Sequence, residues 1–251
     1  MSRAVALITG GTSGLGLATA QRLRTEGIRP VLLGRSRERG ERAVALLGPG
    51  TVFVPGDVAV EEDVARAVDA AVAQGTLRAV VNCAGRAHAA RVVGRAGPHS
   101  LKGFTDVLET NLVGTFNVVR LAADAMTRNE PVDGERGVIV NTASIAAFDG
   151  QVGQAAYAAS KAAVAGMTLP LARELGGLLI RVVTVAPGLF DSPAADVLPA
   201  EKKAELAGLV PHPRRWGRAE EFAGLVHHIL VNRMFNGETV RLDGGLRLPA
   251  R

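Results

Sequence analysis

Short runs rich in β-branched residues alternate with amphipathic stretches from one end of this chain to the other, and that alternation narrows the fold more than any other feature. The runs are Ala4–Thr9, Pro30–Leu33, Thr51–Val54, Arg78–Asn82, Gly137–Thr142, Ile180–Ala186 and Thr239–Leu242. Between them lie Leu15–Glu26, Arg37–Leu47, Glu62–Ala73, Phe104–Thr127, the Ala-rich stretch Gln154–Leu171, and Glu220–Val231. A helix-length crossover returns the chain parallel to the preceding strand, so this spacing predicts a parallel sheet with helices on both faces. No linker-like, repeated or low-complexity segment divides the 251 residues. The chain therefore reads as one doubly wound α/β domain, residues 1–251, with a sheet of about seven strands.

Charge and cysteine usage exclude several classes. The net charge of +5 comes almost wholly from arginines spread along the sequence, with no block of like charges. That pattern describes a solvated basic surface and makes nucleic acid an unlikely partner. The single cysteine, Cys83, allows no intrachain disulfide and suits a reducing compartment. No apolar stretch approaches the length of a membrane span, and Ala4–Ile8 is too short for a signal-peptide core. The expectation is a cytoplasmic protein with no membrane association. The five histidines have no metal-ligand spacing, and His227 and His228 fall on different helix faces, so no metal is expected.

The first strand runs through Thr9-Gly10-Gly11-Thr12-Ser13-Gly14-Leu15-Gly16 directly into a helix. Glycines at 10, 14 and 16 permit a tight turn and a close approach of backbone to a pyrophosphate, and the helix aims its first amides at the phosphates. Gly10, Thr12, Ser13, Gly14, Leu15 and Gly16 are thus candidate dinucleotide contacts in a Rossmann arrangement. Strand two ends Leu33-Gly34-Arg35-Ser36, where an NAD site usually presents an acidic residue to the ribose. Arg35 and Ser36 instead suit the 2′-phosphate of NADP, a charge-assisted contact worth roughly 1.5–3 kcal/mol. The alternative is an arginine that merely opens the next helix in solvent. Asp57 and Val58 after strand three are candidates for the adenine edge, though Asp57 could equally belong to a helix N-cap region. Asn82, Ala84 and Gly85 end strand four with small groups that let the adenosine ribose approach, and Cys83 there reads as a packed small side chain.

The chain's only tyrosine, Tyr157, precedes Lys161 by one helical turn. That spacing puts phenol and ammonium on one face, where the cation is expected to lower the phenol pKa and make a usable proton donor. The alternative is a packed ring beside a solvated lysine.

Together these segments resemble the short-chain dehydrogenase/reductase family across nearly the whole chain. The matching pieces are Thr9 to Gly16, Asn82 to Gly85, Asn111 in Asn111-Leu112-Val113-Gly114, Ser144, Tyr157 with Lys161, and Pro187-Gly188-Leu189-Phe190-Asp191-Ser192. The resemblance implies that Tyr157 is the general acid for carbonyl reduction and the base for alcohol oxidation. Lys161 lowers its pKa and bonds the nicotinamide ribose, Ser144 orients the substrate oxygen, and Asn111 holds a water that relays protons from Lys161. Pro187, Gly188, Leu189, Phe190 and Ser192 would flank the nicotinamide, with the Ser192 hydroxyl on its carboxamide. Pro211, Pro213 and Trp216 fall where the family places a lid; the alternative for the lone Trp is packing.

A narrower resemblance, carried by Gly150 to Tyr157, Gly114 to Val118 and Ala186 to Phe190, is to the type II 3-hydroxyacyl-CoA dehydrogenase/17β-hydroxysteroid dehydrogenase branch. It implies a homotetramer acting on a secondary alcohol or ketone, with a 3-hydroxyacyl or 3-oxoacyl thioester leading and a steroid or other bulky hydroxy compound as the alternative. A non-catalytic binding or scaffold role, as a relative of this branch has in RNA processing, stands against both. The branch is NAD-dependent with an acidic residue at the end of strand two. Gly34-Arg35 departs from it, so NADP(H) is favoured with NAD(H) as the alternative. The insertion between Asn82 and Asn111 is also unusually basic, with Arg86, His88, Arg91, Arg95, His99 and Lys102, and could receive the phosphates of an acyl-CoA.

Overall fold

The computed structural model describes residues 4–95, 97–191 and 198–250. Seven strands form one parallel sheet: β1 (Ala4–Thr9), β2 (Arg29–Gly34), β3 (Val52–Pro55), β4 (Thr76–Asn82), β5 (Gly137–Thr142), β6 (Ile180–Pro187) and β7 (Thr239–Leu242). Their spatial order is β3-β2-β1-β4-β5-β6-β7. Successive crossovers wind away from β1 in both directions, so the order reverses between β1 and β4 and a crevice opens beyond their carboxyl ends.

The strands are buried on both faces, and alternate residues separate into two cores. Val5, Leu7, Val80, Ile139 and Val182 pack with Val64, Ala67 and Val68 of α3 (Glu61–Gln74), Val118 and Ala122 of α5 (Gly114–Thr127), and Leu175 of α6 (Ala155–Gly176). Ala6, Ile8, Val81, Val140, Val183 and Val185 pack instead with Leu23 of α1 (Gly14–Thr25), Ala43 of α2 (Arg37–Leu47), and Phe222, Val226 and Ile229 of α8 (Ala219–Val231). The period-two alternation thus builds the two-sided fold that the sequence predicts.

Element ends differ from the expected bounds by a few residues. The stretch expected as Phe104–Thr127 is α4 (Leu101–Leu108), a π-turn (Glu109–Val113) and α5 in unbroken succession. Helix α6 continues past Leu171 to Gly176 in spite of Pro170. A helix the pattern missed, α7 (Ala200–Gly208), buries no residue and so carries no apolar stripe to read. A two-residue hairpin, Val93–Gly94 with Gly97–Pro98, projects from the basic insertion. Arg181 is buried in β6, where it pairs with Glu135 and donates to the carbonyls of Ile229 and Leu230 in the last turn of α8 and of Phe235 beyond it. It thereby satisfies acceptors that the end of a helix leaves open.

Candidate active site

The turn after β1 is built for close contact with a ligand backbone. Gly10 has φ +62, and a Cβ there would lie 2.8 Å from the Ala84 nitrogen; at Gly16 it would lie 2.5 Å from the Gly10 carbonyl oxygen. Only glycine fits either place. Ser13 starts α1 without a side-chain cap, and the first turn holds no acidic residue, so its leading amides are free for an anion. The Thr9 hydroxyl donates to Asn82 Oδ1 (3.3 Å) and accepts from the Ala84 amide (3.1 Å), which locks the end of β1 to the end of β4. These features fit a dinucleotide.

At the end of β2, a Cβ on Gly34 would lie 3.2 Å from the Thr12 side chain, so any larger residue there requires Thr12 to give by a few tenths of an ångström. Ser36 caps α2 by accepting from the Arg39 amide (3.3 Å). The Arg35 guanidinium is 64% exposed and faces Asp57 at 3.7 Å. Asp57 in turn accepts from the Ala59 amide at 3.0 Å, a contact at the entry to α3. Val58 is buried in the core.

The opposite wall carries the chemistry. The π-turn places Asn111 fully inside the protein, where Oδ1 accepts from the Arg86 amide (2.8 Å) and Nδ2 donates to the Arg86 carbonyl and Ser160 Oγ (both 3.0 Å). Thr115 Oγ1 takes the Asn111 carbonyl at 2.7 Å. Asn111 thus clamps the start of the basic insertion to α6. A Cβ at Gly85 would lie 3.3 Å from Asn111 Oδ1 and 3.6 Å from Lys161 Nζ, so both groups converge on this glycine. Lys161 is 5% exposed and donates to the Thr142 carbonyl at 2.7 Å, with Nζ 5.9 Å from the centre of the Tyr157 ring. Burial without a carboxylate partner pushes its ammonium down to about 8. Burial pushes the neighbouring Cys83 thiol up to about 11, which keeps it a neutral packing group.

Tyr157 departs from expectation. Its pKa is raised above the ordinary tyrosine value, because burial dominates and only a hydrogen bond with Ser144 opposes it. The expected lowering by Lys161 is absent: Nζ is committed to the Thr142 carbonyl, and burial of the phenol prevails. Ser144, at the start of a 3₁₀ turn (Ile145–Ala147), also accepts from the Ala146 amide at 3.1 Å, which fixes its hydroxyl toward Tyr157.

Ser144 and Tyr157 face a cavity of about 230 Å³ whose wall includes His88, Gln151, Gln154, Leu189 and Leu248. Three distant segments are tied together around it. The Ala90 amide donates to Gly153 (2.8 Å), the Val152 amide to Ala250 (3.1 Å) and Gln151 Nε2 to Pro249 (3.1 Å). Arg241 joins Asp149 to Asp243 beneath them. The amide of Gly188 donates to the Leu242 carbonyl (2.9 Å), and a Cβ there would meet the Asp243 backbone at 2.9 Å. Pro187 ends β6 buried, and Phe190 packs edge-on against Phe222. Ser192 lies outside the described residues. Trp216 is a packing residue: it is buried and donates to the Lys203 carbonyl at 3.0 Å. The place of His88 and Leu248 in the cavity wall was invisible in sequence, since neither lies in a motif and both arrive through loop contacts.

The family described as short chain dehydrogenase matches residues 4–203. The chain is 50% identical over 252 residues to 3-hydroxyacyl-CoA dehydrogenase type-2 of Drosophila melanogaster, covering 99% of each. A crystal structure of 3-hydroxyacyl-CoA dehydrogenase type-2 from Mycobacterium avium superposes with a TM-score of 0.95 at 41% identity, covering 99% of this chain and 97% of that one. Actinorhodin polyketide ketoreductase, solved with NADPH, gives a TM-score of 0.88 at 30% identity over 98% of both. This chain belongs to the short-chain dehydrogenase family and is an oxidoreductase acting on CH–OH groups with a nicotinamide cofactor.

Proposed function

We propose that the protein is an NADP(H)-preferring dehydrogenase/reductase of 3-hydroxyacyl and 3-oxoacyl thioesters, working in the cytoplasm as a homotetramer of one-domain chains spanning residues 1–251. The observation that carries the reading is the Ser144–Tyr157 hydroxyl pair opening onto a small cavity with buried Lys161 behind it. The similarity to 3-hydroxyacyl-CoA dehydrogenase type-2 supports the thioester.

In this reading Tyr157 donates its phenolic proton to the carbonyl oxygen in reduction and takes the carbinol proton in oxidation. Ser144 holds the same oxygen and stabilises charge developing on it. The nicotinamide, when bound, supplies or accepts the hydride. Lys161 holds the nicotinamide ribose and keeps a proton close to the tyrosine, while Asn111 positions the wall beside it. Gly10 through Gly16 cradle the pyrophosphate, Asn82, Ala84 and Gly85 border the adenosine ribose, Asp57 and Val58 the adenine, and Pro187 through Phe190, with Ser192, the nicotinamide.

Arg35 and Ser36 carry the preference for the 2′-phosphate. The exposed guanidinium has only a long surface contact to Asp57 to give up, and such pairs contribute little. Arg91 and Arg95 have no ionic or hydrogen-bond partner among the described residues, which leaves them free for acyl-CoA phosphates. Exposed Val113, Phe116 and Leu169 offer apolar helix faces to a second copy.

Turnover of 3-hydroxybutyryl-CoA, a steroid alcohol and a simple secondary alcohol, each with NADP and with NAD, tests the reading. The thioester with NADP is expected to lead. Turnover of the steroid alone refutes the thioester assignment, and a protein that binds neither cofactor refutes catalysis.

A further inference from the structure

Five polar side chains line the cavity: His88, Ser144, Gln151, Gln154 and Tyr157. Four of them are already engaged. Gln154 Nε2 donates to Gln151 Oε1 (3.2 Å) and its Oε1 accepts from the Gln151 amide (3.2 Å), while Gln151 Nε2 donates to the Pro249 carbonyl (3.1 Å). Ser144 and Tyr157 bond each other.

His88 is the exception. Its ring meets His99 edge-on at 5.6 Å, and neither ring nitrogen has a hydrogen-bond partner among the described residues. A glycine makes room for it, since a Cβ on Gly103 in the first turn of α4 would lie 3.2 Å from His88 Nε2. A half-buried imidazole is hydrated only until a substrate fills the cavity. After that, its lost water bonds are recovered only if the substrate brings a polar atom of its own. An apolar residue would line the wall without that demand, so the ring is a selective element.

We propose that His88 is a specificity-determining residue that donates a hydrogen bond to a second oxygen of the substrate, the carbonyl β to the reacting carbinol. His88 and the Ser144–Tyr157 pair line one cavity of about 230 Å³, so a substrate held by that pair brings the atoms next to its reacting carbon into the space the ring also faces. A 3-hydroxyacyl thioester has its thioester carbonyl at that place, and to that extent the inference rests on the function proposed above. The same relation holds in a hydroxyketone with no thioester.

The test compares 4-hydroxy-2-pentanone with 2-pentanol, which differ only in that carbonyl, using wild type, His88→Leu and His88→Asn. Loss of one hydrogen bond to a desolvated partner corresponds to about a tenfold change. His88→Leu is expected to lower kcat/KM for the hydroxyketone about tenfold, mainly through KM, and to leave 2-pentanol within twofold. His88→Asn, which keeps a donor, is expected to recover part of the loss. Equal losses on both substrates, no loss on either, or an asparagine as damaging as leucine would each overturn the assignment. Failure of the thioester reading registers separately, as no turnover of 3-hydroxybutyryl-CoA by a wild type that still discriminates between the two small probes.

Discussion

Lys161 is a buried cation held by a single carbonyl, and its cost to the fold can be measured. Its ammonium titrates near 8 in the folded protein against 10.5 when solvated. Between those values the unfolded chain binds more protons than the folded one, so stability rises with pH across that window. Below about pH 8 both states are charged and the whole penalty is present. The interval corresponds to about 3 kcal/mol at 1.36 kcal/mol per tenfold. Lys161→Met keeps the apolar stem and removes the charge. Relative to wild type, the variant should therefore be favoured by about 3 kcal/mol more at pH 7 than at pH 10.5. For a chain of this size, at roughly 2–4 °C per kcal/mol, the difference in Tm between the two proteins should change by about 6–12 °C over that range. Both proteins carry Cys83→Ala, because the thiol interacts with the Lys161 charge and would otherwise titrate differently in the two; Tyr157 is retained in both. Thermal unfolding of the cofactor-free pair across this range, followed by circular dichroism, gives the answer. A Tm difference that does not change with pH would refute the account of Lys161 as a buried, unpaired cation.

Because Tyr157 is the only tyrosine, an ultraviolet titration of the cofactor-free protein reports a single phenolate; its midpoint should fall above 10, and Ser144→Ala should move it higher, whereas a midpoint below 10 would contradict the dominance of burial. Arg35→Asp should erode or reverse a preference for NADPH over NADH of about one to two factors of ten, read as dissociation constants, and a wild type that prefers NADH would overturn the reading of the end of β2. Charge removal at Arg91 and Arg95 should raise KM for an acyl-CoA severalfold while sparing a CoA-free analogue of the same acyl group; equal effects would remove the phosphate-docking role.

The sheet was legible because its strands are buried on both faces and so appear as near-continuous β-branched runs, Val5 to Ile8 and Ile180 to Ala186 most plainly. The glycine turn was legible for a steric reason, since Gly10 and Gly16 sit where a Cβ has no room. Spacing could not supply the electrostatics of Tyr157. Its distance from Lys161 along a helix says they share a face, but the sign of the shift depends on how deep the phenol lies and where Nζ finds its acceptor. Nor does any local pattern announce the π-turn that turns Asn111 inward, or the C-terminal tail that closes the cavity through Pro249 and Ala250. The tail's contact joins residues 98 apart, and those of Asn111 span 25 and 49.

The central claim is that Tyr157 transfers the proton, and replacement by phenylalanine isolates it because the ring and its packing remain. Turnover of the true substrate by Tyr157→Phe should fall by a factor of about 10²–10⁴, the usual worth of a positioned general acid. NADPH should still bind with a dissociation constant within severalfold of wild type, since the cradle from Gly10 to Gly16 is untouched. A Tyr157→Phe protein that keeps near-normal turnover with NADPH bound would contradict the account.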